Sequence, residues 1–95
     1  MTGFVYILTN NNNSVLYSGV TSNLKERLGK HKLKIHPKSF TARYNLCKLV
    51  YYECFETIGE AIKREKVIKG GNLKRKIDMI NTLNPKWIDL GPFLK

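Results

Sequence analysis

Apolar and polar positions alternate at the start of the chain in a way that predicts a β-hairpin. Two β-prone runs, residues 4–8 and 15–20, flank a polar, asparagine-rich turn at residues 10–13. A turn centred on Asn11 and Asn12 predicts a register in which Tyr6 lies directly opposite Tyr17. In that register both tyrosine hydroxyls lie on one face of the sheet.

A helical pattern follows the hairpin, and its inward face carries two basic groups. Thr21-Ser22-Asn23 is a suitable helix start, and Leu24 and Leu28 mark the apolar face of the helix. Arg27 and His31 lie four residues apart and share that face. A guanidinium and an imidazole are costly in a core unless polar groups receive them. We therefore expect a polar site between this helix and the hairpin.

A second strand signal lies between residues 48 and 55. Strict alternation assigns Leu49, Tyr51, Glu53 and Phe55 to one face, and Val50, Tyr52 and Cys54 to the other. Because both faces carry apolar side chains, we expect this strand to be covered from both sides. The preceding segment, residues 34–46, predicts an irregular basic connection that is fastened to the core by Phe40, Tyr44 and Leu46.

Two further helices are predicted after this strand. The first begins at Thr57–Glu60, which has the spacing of a capping box, and runs to about Lys69. Its apolar stripe includes position 65, so Glu65 is expected to point toward the interior. The second helix begins at Asn72 and ends before Asn84-Pro85, after which a tryptophan-containing tail closes over the core.

Composition and charge indicate one small basic domain. A chain of 95 residues can build a single core, so we expect one domain over residues 1–95. Seventeen Lys and Arg against seven Asp and Glu give a formal net charge of +10. A charge this strong favours nucleic acid as a partner over an anionic membrane surface, although a merely soluble basic protein remains the simpler alternative.

The sequence also indicates a cytoplasmic location. The longest apolar run is about five residues, which is too short for a membrane span or a signal-peptide core. The two cysteines, Cys47 and Cys54, are expected to be small buried hydrophobic residues of a reduced protein. We therefore expect no membrane partner.

Five polar side chains fall on positions that the pattern assigns to the interior: Tyr6, Tyr17, Arg27, His31 and Glu65. Taken singly, each has an ordinary explanation as a packed ring, a snorkelling arginine, a half-buried histidine or a helix-surface ion pair. Taken together, they supply the parts of phosphodiester hydrolysis. A carboxylate holds a divalent metal, an arginine neutralises the phosphate, and a tyrosine or histidine accepts the proton of an attacking water.

These residues resemble the motifs of the GIY-YIG nuclease superfamily. Val5-Tyr6 stands at the end of the first family motif, and Tyr17-Ser18-Gly19 stands at the second. Arg27 and His31 match the arginine and histidine of the family's first helix, and Glu65 matches its metal-binding glutamate. The similarity covers nearly the whole chain and is greatest to the small stand-alone, single-domain branch, which is similar to the amino-terminal nuclease domain of an excinuclease.

The resemblance implies an α+β fold, a small, roughly three-stranded mixed or antiparallel sheet flanked by helices. It implies a metal-dependent endonuclease with Mg²⁺ or Mn²⁺ at Glu65 and with Arg27 stabilising the phosphate charge. Tyr6 would be the leading candidate for the general base. Tyr17 and His31 would position water or phosphate, or share the proton transfer, and the sequence does not rank Tyr6, Tyr17 and His31 as the base.

The chain departs from the family pattern at a few positions. The glycine of the first motif is Phe4 here, and the isoleucine of the second is Ser18. Gly70-Gly71-Asn72 stands where the branch usually has an aromatic residue. The family often uses an asparagine late in the fold, for which Asn84 is the candidate. None of these departures removes a catalytic group.

Basic residues would have to supply the grip on the substrate, because we recognise no additional DNA-binding domain in the sequence. The candidates are Lys25, Lys30, Lys32, Lys34, Lys38, Arg43, Lys63, Lys66 and Lys69. Such residues neutralise phosphates without reading sequence, so we expect weak, salt-sensitive binding, to DNA ahead of RNA, with a preference for flaps, branches or single strands.

Two functions follow from these observations. The first is a structure-selective endonuclease of DNA repair or recombination. The alternative is a nucleic-acid-binding module with little or no intrinsic cleavage, which acts through a protein partner.

Overall fold

Three strands and four α-helices make up the part of the chain that the computed structural model describes, residues 2–33 and 38–94. In chain order they are β1 (Gly3–Thr9), β2 (Leu16–Thr21), α1 (Leu24–Leu33), α2 (Phe40–Arg43), β3 (Lys48–Phe55), α3 (Ile58–Gly70) and α4 (Leu73–Leu83). A short 3₁₀ turn, Gly91–Phe93, follows in the tail. The predicted strands and longer helices are confirmed, whereas α2 lies in a segment that was predicted to be irregular.

The strands form one antiparallel sheet in the order β2-β1-β3, which confirms the α+β class. The central strand β1 is the most deeply buried element, because helices cover both faces of the sheet. On one face, Leu24 and Leu28 of α1 pack against β1 and β3. On the other face, α3 and α4 cover the sheet with Ala61, Ile68 and Ile80.

The predicted register of the hairpin was wrong by two residues. Tyr6 lies opposite Gly19, and Tyr17 lies opposite Leu8. Because side chains in a strand alternate with a period of two, a shift of two residues leaves every side chain on its original face. Tyr6 and Tyr17 therefore still share the face that α1 covers.

The register differs because the loop between β1 and β2 is longer than a two-residue turn. The Asn10 side-chain oxygen accepts hydrogen bonds from the backbone N–H groups of Ser14 and Val15, at 2.8 and 3.3 Å. Asn13 adopts a left-handed backbone conformation with φ of 56°, which asparagine tolerates better than most residues. These local bonds close the loop two residues further along the chain than the expected turn.

Strict alternation along β3 was also wrong at one end of the strand. A β-bulge makes Tyr51 and Leu49 the partners of consecutive residues on β1, so that Val50 falls between them. As a result Leu49 packs with Tyr52 in the core under α1. Val50 packs with Tyr51 in the core under α4. The prediction that both faces are covered is confirmed.

Side-chain caps begin α3 and α4 where the sequence predicted them. The Thr57 hydroxyl accepts a hydrogen bond from the Glu60 backbone N–H at 3.2 Å and donates one to the Glu60 carboxylate at 3.1 Å. The Asn72 side-chain oxygen accepts from the Arg75 backbone N–H at 2.9 Å. Each cap satisfies an N–H group that has no partner inside its own helix, which fixes where the helix starts.

The tail after α4 closes over the core, as predicted, with Trp87 in the core under α4 and Leu90 in the core under α1. Leu90 donates its backbone N–H to the carbonyl of Leu49 at 2.8 Å, and Leu49 donates its own to the Asp89 carboxylate at 3.1 Å. Leu90 and Leu94 pack against the same core. The tail thus protects part of the edge of β3 from solvent.

Two expectations about burial were wrong. Phe40 and Tyr44 were expected to fasten the connection to the core, but they are 48% and 46% exposed, and only Leu46 is buried. Cys47 is half-buried and Cys54 is exposed, and both are free thiols. Within the described ranges, no helix is both long enough and apolar enough to cross a membrane.

Candidate active site

Tyr6 lies at the centre of the sheet face that α1 covers, and it is 1% exposed. Its ring passes directly over Gly19 of β2. A Cβ atom at position 19 would lie 2.6 Å from both the ζ carbon and the hydroxyl oxygen of Tyr6. Ordinary carbon contacts are near 3.5–4 Å, so any larger residue would displace the ring. The glycine of the second motif is therefore required by the position of the tyrosine of the first.

Two other rings surround Tyr6. Its ring centroid lies 6.5 Å from that of Tyr17 on β2 and 6.1 Å from that of His31 on α1. Tyr17 and His31 are themselves 6.3 Å apart. The Tyr6 hydroxyl oxygen lies 3.4 Å from Nε2 of His31, at the long end of hydrogen-bonding distance. Residues predicted on separate elements thus meet in one cluster.

The other nitrogen of His31 is held by a residue that was not among the predicted site residues. Nδ1 lies 2.9 Å from the hydroxyl of Thr41, which is buried on α2. The Thr41 hydroxyl in turn lies 3.3 Å from that of Ser39, which caps α2. Two contacts on opposite sides of the imidazole fix the plane of the ring. The capping spacing from Ser39 to Ala42 was the sequence signal that could have revealed α2.

Arg27 lies beside this cluster at the mouth of a cleft. The cleft has a volume of about 270 Å³, and its lining includes Tyr17, Arg27, Lys30 and His31. Arg27 is exposed, whereas the helical periodicity had placed it on the inward face, and its guanidinium forms no hydrogen bond or ion pair with residues 2–33 or 38–94. Its guanidinium is therefore available to an anionic ligand that enters the cleft.

Glu65 projects from α3 into the interior, as the periodicity predicted, and is 8% exposed. Its Oε1 atom lies 2.8 Å from the ammonium nitrogen of Lys69, one helical turn further along. The inward position and the helix-surface ion pair, which were alternatives in the sequence analysis, therefore occur together. The carboxylate raises the pKa of the Lys69 ammonium through this hydrogen bond.

The environment of Tyr6 keeps its hydroxyl protonated. The pKa of Tyr6 is raised from 10.0 to about 12, mainly by burial; the nearby Tyr17 and Glu65 contribute to this increase, whereas Arg27 opposes it. Tyr6 is therefore a neutral phenol near pH 7. To accept a proton, Tyr6 must pass on its own, and Nε2 of His31, 3.4 Å from the hydroxyl oxygen, can take it in the tautomer that carries its proton on Nδ1.

Among the residues that the structure describes, Glu65 is the one buried carboxylate; it does not line the cleft, but it lies near enough to Tyr6 to raise the pKa of that hydroxyl. Within residues 2–33 and 38–94, no group of three or more His, Cys, Asp and Glu side chains is close enough to form a metal cluster. A lone carboxylate does not suit zinc, but it fits Mg²⁺ or Mn²⁺, which keep most of their waters and take further oxygens from phosphate. The ammonium of Lys69 beside Glu65 shows that this position attracts a cation.

The candidate nucleic-acid-binding residues differ in their surroundings. Lys30 lines the cleft and is paired with Glu26 at 3.1 Å, while Lys69 is paired with Glu65. Lys25 lines a separate groove, close to the end of the tail. The remaining candidates in the described ranges are exposed, namely Lys32, Lys38, Arg43, Lys63 and Lys66. Lys34 lies outside the described residues.

Asn84 lies apart from the cleft, in the core under α4. Its side-chain nitrogen donates to the carbonyl of Val50 at 3.1 Å and to that of Ile88 at 2.8 Å. Its side-chain oxygen accepts from the Ile88 backbone N–H at 3.2 Å. With these bonds made, the amide fastens the tail to β3.

Comparison with known proteins agrees with the fold. The family model described as the GIY-YIG catalytic domain matches residues 2–78, so the chain belongs to this family of nuclease domains. A UPF0213 protein of Clostridium perfringens is 37% identical over 83 residues, which is 87% of each chain. Another from Bacillus licheniformis is 34% identical over 89 residues, covering 94% of this chain and 90% of that protein.

A solved structure shows the same architecture. The solution NMR structure of a UPF0213 protein from Bacillus halodurans superimposes with a TM-score of 0.58 and is 25% identical. It covers 94% of this chain and 93% of its own. The small stand-alone relatives and this structure confirm the resemblance and the α+β fold that the sequence implied.

Proposed function

We propose that this chain is a metal-dependent endonuclease that hydrolyses phosphodiester bonds of nucleic acid. The observation that carries this proposal is the contact between the buried Tyr6 hydroxyl and Nε2 of His31, beside the cleft that Arg27 and His31 line. The formal net charge of +10 suits a polyanionic substrate. If the cluster served only to stabilise the fold, it would not need His31 next to Arg27, whose guanidinium has no ion pair within the described ranges.

In the proposed reaction, the scissile phosphate enters the cleft and lies against the Arg27 guanidinium. Arginine forms charge-assisted hydrogen bonds to two phosphate oxygens, and it stabilises the additional negative charge of the transition state. Tyr6 accepts the proton of the attacking water as its own proton passes to Nε2 of His31. Thr41 holds the imidazole in the orientation that this transfer requires.

Glu65 would hold a Mg²⁺ or Mn²⁺ ion at this site. Such an ion, when bound, polarises the phosphoryl oxygen and stabilises the leaving oxygen. Lys69 must then move from Oε1 or share the carboxylate, and its 57% exposed side chain can swing into solvent. A cation here also offsets the negative charge of Glu65, which is one of the causes that raise the pKa of Tyr6.

The remaining parts of the proposal concern the biological setting. Residues 1–95 act as a single domain in the cytoplasm, and DNA is the substrate ahead of RNA. Because lysines and arginines contact phosphates without reading bases, recognition is by nucleic-acid structure, as in repair or recombination. A protein partner would supply any additional targeting.

A cleavage assay with matched variants tests the proposal. Labelled flap, branched, single-stranded and duplex DNA are incubated with Mg²⁺ or Mn²⁺ at low salt. Glu65→Gln should abolish cleavage, whereas Glu56→Gln, the same substitution at an exposed position before α3, should retain it. Cleavage that survives Glu65→Gln, or that persists after chelation of the metal, would contradict the proposal.

The second candidate, a binding module without cleavage, is favoured by one observation. The Lys69 ammonium is paired with Oε1 of Glu65, one of the two oxygens that a metal could use. If this pair is permanent, the protein binds nucleic acid but recruits no metal. Equal DNA binding by the wild type and Glu65→Gln, with no cleavage on any substrate in either metal, would establish this function instead.

A further inference from the structure

Three aromatic rings form a row that leads out of the cleft, and we call this row the aromatic shelf: Tyr17, Phe40 and Tyr44. The ring centroids of Tyr17 and Phe40 are 6.2 Å apart and the planes are nearly stacked, at 29°. The centroids of Phe40 and Tyr44 are 4.7 Å apart, and about half of each of these two side chains is exposed. The row begins beside His31 and ends in solvent.

The exposure of the outer rings is not explained by a lack of anchoring in this segment. The inner side of α2 is fastened by buried Thr41 and Ala42, and Leu46 just beyond it is fully buried. Phe40 and Tyr44 are four residues apart and so lie on the same, outward side. Two adjacent exposed aromatic rings form an apolar patch that commonly marks a binding surface.

Charge around the shelf indicates the chemistry of its ligand. Arg43 lies between the two outer rings in sequence, Lys38 precedes Phe40 by two residues, and both basic side chains are exposed. Phe40 also lines the cleft that contains Arg27. Aromatic faces combined with basic side chains are the means by which proteins bind single-stranded nucleic acid, since bases stack on the rings while cations contact the phosphates.

We propose that the aromatic shelf binds an unpaired base next to the phosphate in the Arg27 cleft. A base inside a duplex is already stacked on both sides and offers no free face, so the shelf selects nucleic acid with an unpaired nucleotide at the cut. This inference rests on the proposed function for the position of the cut. The stacking itself requires no cleavage.

Binding measurements on uncleaving protein test the shelf. In the Glu65→Gln background, fluorescence anisotropy with a labelled single strand and a matched duplex gives the two affinities. Phe40→Ala should weaken single-strand binding by about five-fold or more, with duplex binding unchanged. Phe40→Trp, which keeps an aromatic ring, should retain single-strand binding. The matched control is Phe93→Ala, which removes a 70% exposed ring of the tail and should change neither affinity.

A salt series separates stacking from charge. Phe40→Ala should leave the slope of log K against log salt unchanged, whereas Arg43→Ala should lower that slope by about 0.7 on the single strand. Phe40→Leu keeps an apolar side chain at this position, so its failure to restore binding would assign the loss to the missing ring. The proposal would be overturned if Phe40→Ala bound the single strand as tightly as Phe93→Ala does. It would also be overturned if Phe40→Ala lost the same amount of affinity for the single strand and for the duplex.

The outcome is distinguishable from that of the proposed function. If the wild type never cleaves but Phe40→Ala loses single-strand binding, the nuclease proposal fails and the shelf stands. If cleavage depends on Glu65 but Phe40→Ala binds single strands normally, the shelf fails and the nuclease stands.

Discussion

The hydroxyl of Tyr6 and Nε2 of His31 face each other at 3.4 Å across the boundary between the central strand and the first helix. Thr41 lies on the far side of the imidazole, 2.9 Å from Nδ1. The three side chains form a line from the sheet to α2. Because Tyr6 is a neutral phenol near pH 7, the direction in which His31 presents its nitrogens decides whether the tyrosine can release its proton.

Thr41→Val tests this line by removing a hydroxyl while keeping the shape of the side chain. Without its contact at Nδ1 the imidazole loses one of the two constraints on its orientation, so the cleavage rate should fall by about ten-fold or more. Thr41→Ser, which keeps the hydroxyl, should restore most of the rate. The pH–rate profile should shift in Thr41→Val alone, and an unchanged profile and rate would show that Thr41 does not position His31.

The raised pKa of Tyr6, about 12 in the folded protein, predicts a pH dependence of stability. The folded state holds the phenol proton more tightly than the unfolded chain, so Tyr6 contributes stability that is full below pH 10.0 and is lost as the pH rises through about 12. Between pH of about 9 and 11, this group alone should lower the free energy of unfolding by about 1 kcal/mol.

Denaturant unfolding of the wild type and Tyr6→Phe at both pH values measures this contribution. The wild type should lose about 1 kcal/mol more than Tyr6→Phe over the interval, since the lysines affect both proteins equally. Equal losses in the two proteins would mean that the pKa of Tyr6 is not raised.

The ion pair between Lys69 and Glu65 predicts competition with a divalent metal. Lys69→Met removes the ammonium from Oε1, so the affinity for Mn²⁺ should rise by about two- to five-fold, the range of a partly exposed ion pair. Lys66→Met, which removes an exposed lysine from the same helix, is the matched control. Calorimetry of metal binding without DNA is the measurement, and identical affinities in both variants would argue that Lys69 leaves Glu65 freely.

The close approach of Gly19 to Tyr6 predicts opposite effects of two identical substitutions. Gly19→Ala places a carbon 2.6 Å from the Tyr6 ring, so it should cost about 1–3 kcal/mol of stability and displace the hydroxyl from His31. Gly29→Ala adds its carbon to α1 at a point where, apart from the adjacent residues and the backbone of the helix itself, no atom of the described residues lies within 4 Å, and it should stabilise the protein by about 0.5–1 kcal/mol. Thermal unfolding and cleavage assays of both variants check the pair.

The buried amide of Asn84 predicts a loss of stability without a loss of chemistry. Asn84→Ala removes two hydrogen bonds to backbone carbonyls and one from a backbone N–H, and it leaves the buried carbonyl of Val50 without this partner. We expect a loss of about 2–3 kcal/mol in the free energy of unfolding. Cleavage at low temperature, where the protein stays folded, should be nearly unchanged. A cleavage rate that falls as far as in Glu65→Gln would instead indicate that Asn84 is part of the active site.

Local sequence was sufficient for those features that depend on neighbours in the chain. The Thr57–Glu60 cap, the Asn72 cap and the bounds of β3 were predicted because capping and side-chain alternation act over a few residues. The inward positions of Glu65 and His31 followed from helical periodicity in the same way.

Features that depend on contacts between distant segments were missed or wrong. The bulge in β3 appears only when that strand is paired with β1. The hairpin register is a local exception, because the hydrogen bonds from Ser14 and Val15 to the Asn10 side chain lengthen the loop. Burial of Phe40 was assumed from its apolar character, but exposure depends on what other elements cover.

The sequence by itself determined the strands, the three longer helices and the inward positions of Tyr6 and Glu65, since each follows from local periodicity. Only the tertiary structure decided that Tyr6 meets His31, that Thr41 holds the imidazole and that Phe40 stays in solvent. Those relationships join residues on different elements, and their distances are set by how the sheet and helices pack, which no local pattern encodes.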